Sequence, residues 1–199
     1  MQPLIYGIDQ LNKTIGHAFA WCIIILTFGT CYEVFVRYVL DDPTSWAFDM
    51  SYLMYGALFY MAGAYTLSRA GHVRADMFYR LWRPRVQASV ELVLYVVFFF
   101  PGILALVHSG WLYGVESMRI REVSVNSPAG VLIWPLKMMI PIGGGLMALQ
   151  GLAELLRCVQ CLRDGEWTAR LHDVEELEKQ ILEEHAKKAA AGAAQGAVR

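Results

Sequence analysis

The sequence predicts an all-α integral membrane protein with four transmembrane helices, and three observations carry that prediction. Of 199 residues, 56% are apolar and 18% charged, and the first 153 residues hold only 19 of the 35 charged side chains. Such a charge-poor body excludes a disordered chain and a water-soluble globule of ordinary composition. Uncharged stretches of roughly 20 residues, enough to cross about 30 Å of hydrocarbon, recur four times. Most Lys and Arg residues of this body lie near the ends of those stretches, as membrane topology requires. A net charge of −1 argues against nucleic acid as a partner, which would select a basic excess.

The first span is placed at about 14–38, because 14–32 contains no Asp, Glu, Lys or Arg. No basic n-region or A-x-A site precedes it, so it reads as a retained helix rather than a cleaved signal. The second span, about 47–68, rests on the uncharged run 50–68, and the third, about 88–115, on the uncharged run 92–115. The fourth, about 135–157, begins at Pro135, which puts Lys137 in the first turn, where its ammonium can snorkel to the interface. The connection between the second and third spans carries Arg69, Arg74, Arg80, Arg83 and Arg85. Placing it in the cytoplasm puts both termini there and leaves Arg37, Arg119, Arg121 and Lys137 outside.

Within that connection Met77, Phe78, Leu81 and Trp82 make one apolar stripe, which predicts a short interfacial helix ended by Pro84. The turn-rich, then apolar, segment 123–134 is expected to fold against the outer membrane surface. Residues 1–163 thus form the membrane domain. In 164–199, Leu171, Val174, Leu177 and Ile181 mark a stripe among acidic residues, predicting a solvated cytoplasmic helix before a disordered, alanine-rich end.

Few polar residues are available for chemistry. Glu33 and Arg37 are four apart and share a helix face; with Asp49 they are expected to cluster at the outer end. That cluster could couple an ion or proton, or form a shelf on which another protein docks. The shelf is favoured, because translocation carboxylates sit nearer the midplane. His17 and His108 differ in depth by roughly 20 Å, so one haem iron cannot bridge them. Cys158 and Cys161 have no second pair to complete a zinc site and read as free thiols. Cys22 and Cys31 lie on opposite sides of one helix, about 180° apart. Nothing supports an enzyme. Glycine and alanine recur on the second, third and fourth spans and permit close helix approach.

The chain resembles the small membrane subunit (DctQ type) of tripartite ATP-independent periplasmic (TRAP) transporters. The resemblance runs from about Gly16 to Arg157. It rests on E-x-x-x-R-Y at Glu33, Arg37 and Tyr38, and on P-T-x-W-x-x-D at Pro43, Thr44, Trp46 and Asp49. It continues with G-A-x-x-L-x-x-x-x-H-V-R-x-D, which includes His72, Arg74 and Asp76, and with P-I-G-x-x-L-x-x-L-Q-G, which includes Gln150. The charged tail departs from the usual short end of the family. The resemblance implies a stationary scaffold in the bacterial inner membrane, partnered by a large membrane subunit (DctM type) and a periplasmic binding protein (DctP type). It implies that organic-acid and sodium sites lie on the large subunit, with no cofactor on this chain. Candidate interface or scaffold residues are Glu33, Arg37, Tyr38, Trp46, Asp49, His72, Arg74, Asp76, Lys137 and Gln150, with Met77, Phe78, Leu81 and Trp82 contacting membrane lipid. The alternatives are an independent homodimeric transporter using Glu33 as proton carboxylate, and a membrane anchor of a redox enzyme.

Overall fold

A computed structural model describes residues 2–69, 82–126, 128–167 and residue 185. It contains four long helices: α1 (Gln2–Val39), α2 (Ala47–Ser68), α3 (Pro84–Arg119) and α4 (Trp134–Asp164). At 1.5 Å per residue they extend about 57, 33, 54 and 46 Å. α1, α3 and α4 are long and apolar enough to cross a membrane by length and composition. α2 has the length, but Tyr52, Tyr55, Tyr60 and Tyr65, with Ser51 and Thr66, dilute its apolar character. Among the described residues four long helices are therefore present, with three meeting both criteria.

The chain chemistry explains where the helices begin and end. Proline occupies the first turn of α3 and α4, where its missing N–H removes no helical bond. α1 and α3 stop in the same way. The Asp42 N–H donates back to the Val36 carbonyl (3.3 Å) and the Glu122 N–H to the Ser117 carbonyl (3.0 Å). The residue before each of these donors is left-handed, Asp41 at φ 54° and Arg121 at φ 49°. Glycine ordinarily fills that position, and α4 follows the ordinary pattern, ending at Gly165 with φ 84°.

Among the described residues, α1 packs on α2, and α4 packs on each of the other three; α3 packs chiefly on α4. The arrangement is an up-down-up-down slab with α4 as its hub rather than a closed four-helix barrel. Small residues set the spacing of this slab. A Cβ on Gly143 would lie 2.6 Å from the Tyr60 carbonyl oxygen, so α2 and α4 touch backbone to side-chain-free backbone there. α3 contains a π-helical turn at Tyr95–Phe99, and the Phe99 ring fills the space over Gly151.

α1 starts well before the uncharged run at 14, and its first three turns pack against the last turns of α4. Ile5 and Ile8 form a cluster with Ala153, flanked by Leu149 and Leu156. At the same end Cys158 and Cys161 pack with Ala88 on the first turns of α3. Both thiols are reduced and buried. The interfacial-helix stripe Met77, Phe78 and Leu81 lies outside the described residues, as do His72, Arg74 and Asp76. Trp82 is described, half-exposed and just ahead of α3. The tail stripe Leu171, Val174, Leu177 and Ile181 also lies outside them; of 164–199 only residues 164–167 and His185 are described.

Candidate functional site

The charged and polar side chains collect at the two ends of the slab. At the end where α1 begins and α4 finishes, Asp9 and Asn12 are three apart on α1, and Gln150, Glu154 and Arg157 make an i, i+4, i+7 stripe on α4. Each set therefore lies on one helix face, and the two faces meet. All five are buried, Gln150 and Glu154 at 0% exposure. Gln150 joins both helices: its Oε1 accepts from Asn12 Nδ2 at 2.7 Å, and its Nε2 donates to Asp9 Oδ1 at 2.8 Å. The same nitrogen reaches Glu154 Oε1 at 3.5 Å. Arg157 clamps Asp9 with one terminal nitrogen and Glu154 with the other. Two carboxylates held by one guanidinium, away from water, form a structural clasp: each partner is costly to bury alone.

The opposite end is tied differently. Glu33 accepts from Arg37 Nε at 3.0 Å and from the Thr44 N–H at 3.2 Å, and also from the Thr44 hydroxyl. The expected Glu33–Arg37 pair is present, and it staples the α1–α2 connection. Asp49 does not join it. Among the described residues Glu33 bonds Arg37 and Thr44, while the buried Asp49 carboxylate accepts from Ser124 Oγ at 2.5 Å. The reason is direction: Asp49 sits one turn into α2, on the side turned toward the connection after α3. The expected three-residue cluster is thus two separate ties.

The connection after α3 is itself a small hairpin. Val123 bridges Leu132, with the Ser124 N–H on the Val131 carbonyl (2.8 Å) and the Ile133 N–H on the Glu122 carbonyl (3.0 Å). Lys137 pairs with Glu122, and its ammonium lies 3.9 Å from the Tyr113 ring centroid. Lys137 thus ties α4 to the hairpin and α3 instead of reaching freely to the interface. Tyr38, 77% exposed, and Trp46, half-exposed at the start of α2, take no part in either tie.

The Lys137 hydrogen bond holds the Glu122 carboxyl below its ordinary value of 4.5. A depressed carboxylate contributes stability that is complete above its unfolded value and is lost as pH falls through the lowered folded value. Wild type should lose more thermal stability between about pH 5 and pH 3 than Glu122→Gln does. Equal pH profiles for the two proteins in detergent would show that the pair contributes nothing.

Of the residues expected to matter, Gln150 is at the centre of the clasp, and Glu33, Arg37, Asp49 and Lys137 make the far-end ties. Asp9, Asn12, Glu154 and Arg157 were not anticipated. The signal lies in polar side chains at helical spacing near the start of α1 and the end of α4. Among the described residues, no group of three His, Cys, Asp or Glu is placed to hold a metal ion.

A family model described as tripartite ATP-independent periplasmic transporters, DctQ component, matches residues 26–161. The chain belongs to the DctQ family. The match spans the far-end ties and the α4 half of the DctQ clasp, and it leaves out the α1 half at Asp9 and Asn12. No curated protein matches the chain. Membership makes it a TRAP-type small permease subunit.

Proposed function

We propose that this chain is the non-transporting scaffold of a sodium-coupled TRAP importer of organic acids. α2 serves as the fourth span, its length of about 33 Å matching the hydrocarbon core. The arginine-rich connection and both termini face the cytoplasm of a bacterial cell, and the far-end ties face the periplasm. A large membrane subunit carries the solute and sodium ligands, and a periplasmic binding protein delivers the solute.

The observation that carries this reading is the distribution of polarity in the slab. The buried ionic groups lie at its two ends. Between them α4 meets α2 and α3 through glycine and apolar contacts, such as Gly143 on Tyr60 and Gly110 on Ile140. Glu33, the carboxylate a proton-coupled transporter would need, is engaged by Arg37 and Thr44. A rigid slab with broad apolar flanks suits a stationary support for a moving neighbour.

Reconstitution tests it. Liposomes holding this chain alone should show no sodium-driven uptake of organic acid, whereas adding the large subunit and the binding protein should give uptake. Uptake by the chain alone would overturn the reading.

A further inference from the structure

Two oppositely charged segments of the chain are rooted side by side. The connection 69–85 carries five arginines against Asp76, whereas 171–184 carries six Asp and Glu against Lys179. Beyond α4 the backbone turns at Gly165, where a Cβ would lie 3.5 Å from Arg85 Nε. Two residues later the Trp167 indole N–H donates to Gln87 Oε1 at 3.0 Å, and Gln87 Nε2 donates to the Trp82 carbonyl at 3.1 Å. Trp167 also packs against the cluster of Ala88, Cys158 and Cys161. The chain thus crosses the start of α3 and is pinned there just before its acidic segment begins.

The surface at that point complements the segment. Arg83 and Arg85 are exposed, and Trp82 and Val86 beside them are about half exposed. The ion pairs among the described residues leave both guanidiniums out. The segment 171–184 brings acidic groups and the apolar stripe Leu171, Val174, Leu177 and Ile181. A helix of this length is marginal in water by itself, so its stripe needs a surface to cover. An anionic membrane surface repels so acidic a helix. The stripe covers barely two heptads, too few to hold a second copy as a coiled coil. The four residues from Trp167 to Leu171 reach at most about 14 Å. A site at the start of α3 therefore meets the segment at the high effective concentration of a short tether.

We propose that the acidic segment 171–184 docks back on the start of α3 instead of standing free in solvent. Its apolar stripe covers Trp82 and Val86, and its carboxylates face Arg83 and Arg85. Docked there, it neutralises part of the chain's own basic edge. The inference goes beyond the scaffold reading and does not need it, because both roots lie at one end of the slab.

A photoreactive benzophenone residue in place of Val174, in the full chain in its native membranes, tests the proposal. The adduct should form within the chain, on the peptide that holds residues 82–86. Arg83→Glu with Arg85→Glu should lower its yield by about 5-fold or more, as the loss of exposed ion pairs predicts. Adding Glu175→Lys, Glu176→Lys and Glu178→Lys should restore most of the yield, which separates lost attraction from lost folding. Adducts only with lipid, with a second copy, with the large subunit or elsewhere in this chain would overturn the proposal, as would the absence of any adduct. So would a yield that the arginine reversals leave unchanged, or that the reversed tail fails to restore. An adduct with the large subunit would leave the scaffold reading standing while removing this one.

Discussion

Replacing Arg157 by leucine should cost about 3–5 kcal/mol of stability, the largest effect expected from any single substitution in the chain. The guanidinium is the shared counter-ion of Asp9 and Glu154, and all three are at least nine-tenths buried. Its removal leaves two carboxylates in a dry site without the guanidinium that bridges them. Unfolding by denaturing detergent, followed by circular dichroism, would read the loss. Replacing Asp9, Glu154 and Arg157 together by leucine should recover most of it, because an apolar set carries no uncompensated charge. A single Arg157→Leu loss below about 1 kcal/mol would mean that the clasp is not desolvated as described.

Gly143→Ala should destabilise by about 1–3 kcal/mol, because the new methyl meets the Tyr60 backbone and no side chain can move aside. The two following glycines give the contrast. At Gly144 the nearest atom is a Val107 methyl carbon at 2.9 Å, whereas at Gly145 nothing lies within 4 Å. Gly145→Ala should therefore stabilise, by up to about 1 kcal/mol through helix propensity. The same unfolding measurement ranks the three; equal effects at 143 and 145 would contradict the close α2–α4 contact.

Those three glycines show what the sequence reveals and what it withholds. Their smallness signals close helix approach in general, but only the packing distinguishes a backbone contact from open space. Helix number and order are legible because the uncharged runs are long. The start of α1 is not, because Asp9, Asn12 and Lys13 interrupt its apolar pattern. Asp9 and Asn12 make sense as helix interior only once Gln150 and Arg157 stand opposite them. Asp41 and Arg121 hide the helix stops in the same way, since neither is the glycine that marks such a stop. The Glu33–Arg37 pair is readable from spacing alone, whereas the partner of Asp49 is 75 residues away at Ser124. α2 is recognised by its lack of charge, and its tyrosines are what weaken its apolar signal.

The broad apolar flanks bear on function through the same physics. Trp21, Phe28 and Phe35 on α1 and Phe98, Leu104 and Trp111 on α3 are all more than half exposed. Lipid can cover such side chains at no cost.

The central claim is that this DctQ-family chain works only as part of a larger membrane assembly. Affinity purification of the tagged full-length chain from its native membranes, in mild detergent, tests it most directly. The account predicts that a much larger multi-pass membrane protein is recovered with it in fixed proportion, and that deleting either component abolishes uptake. Recovery of the chain by itself, with uptake intact after loss of every larger partner, would contradict it.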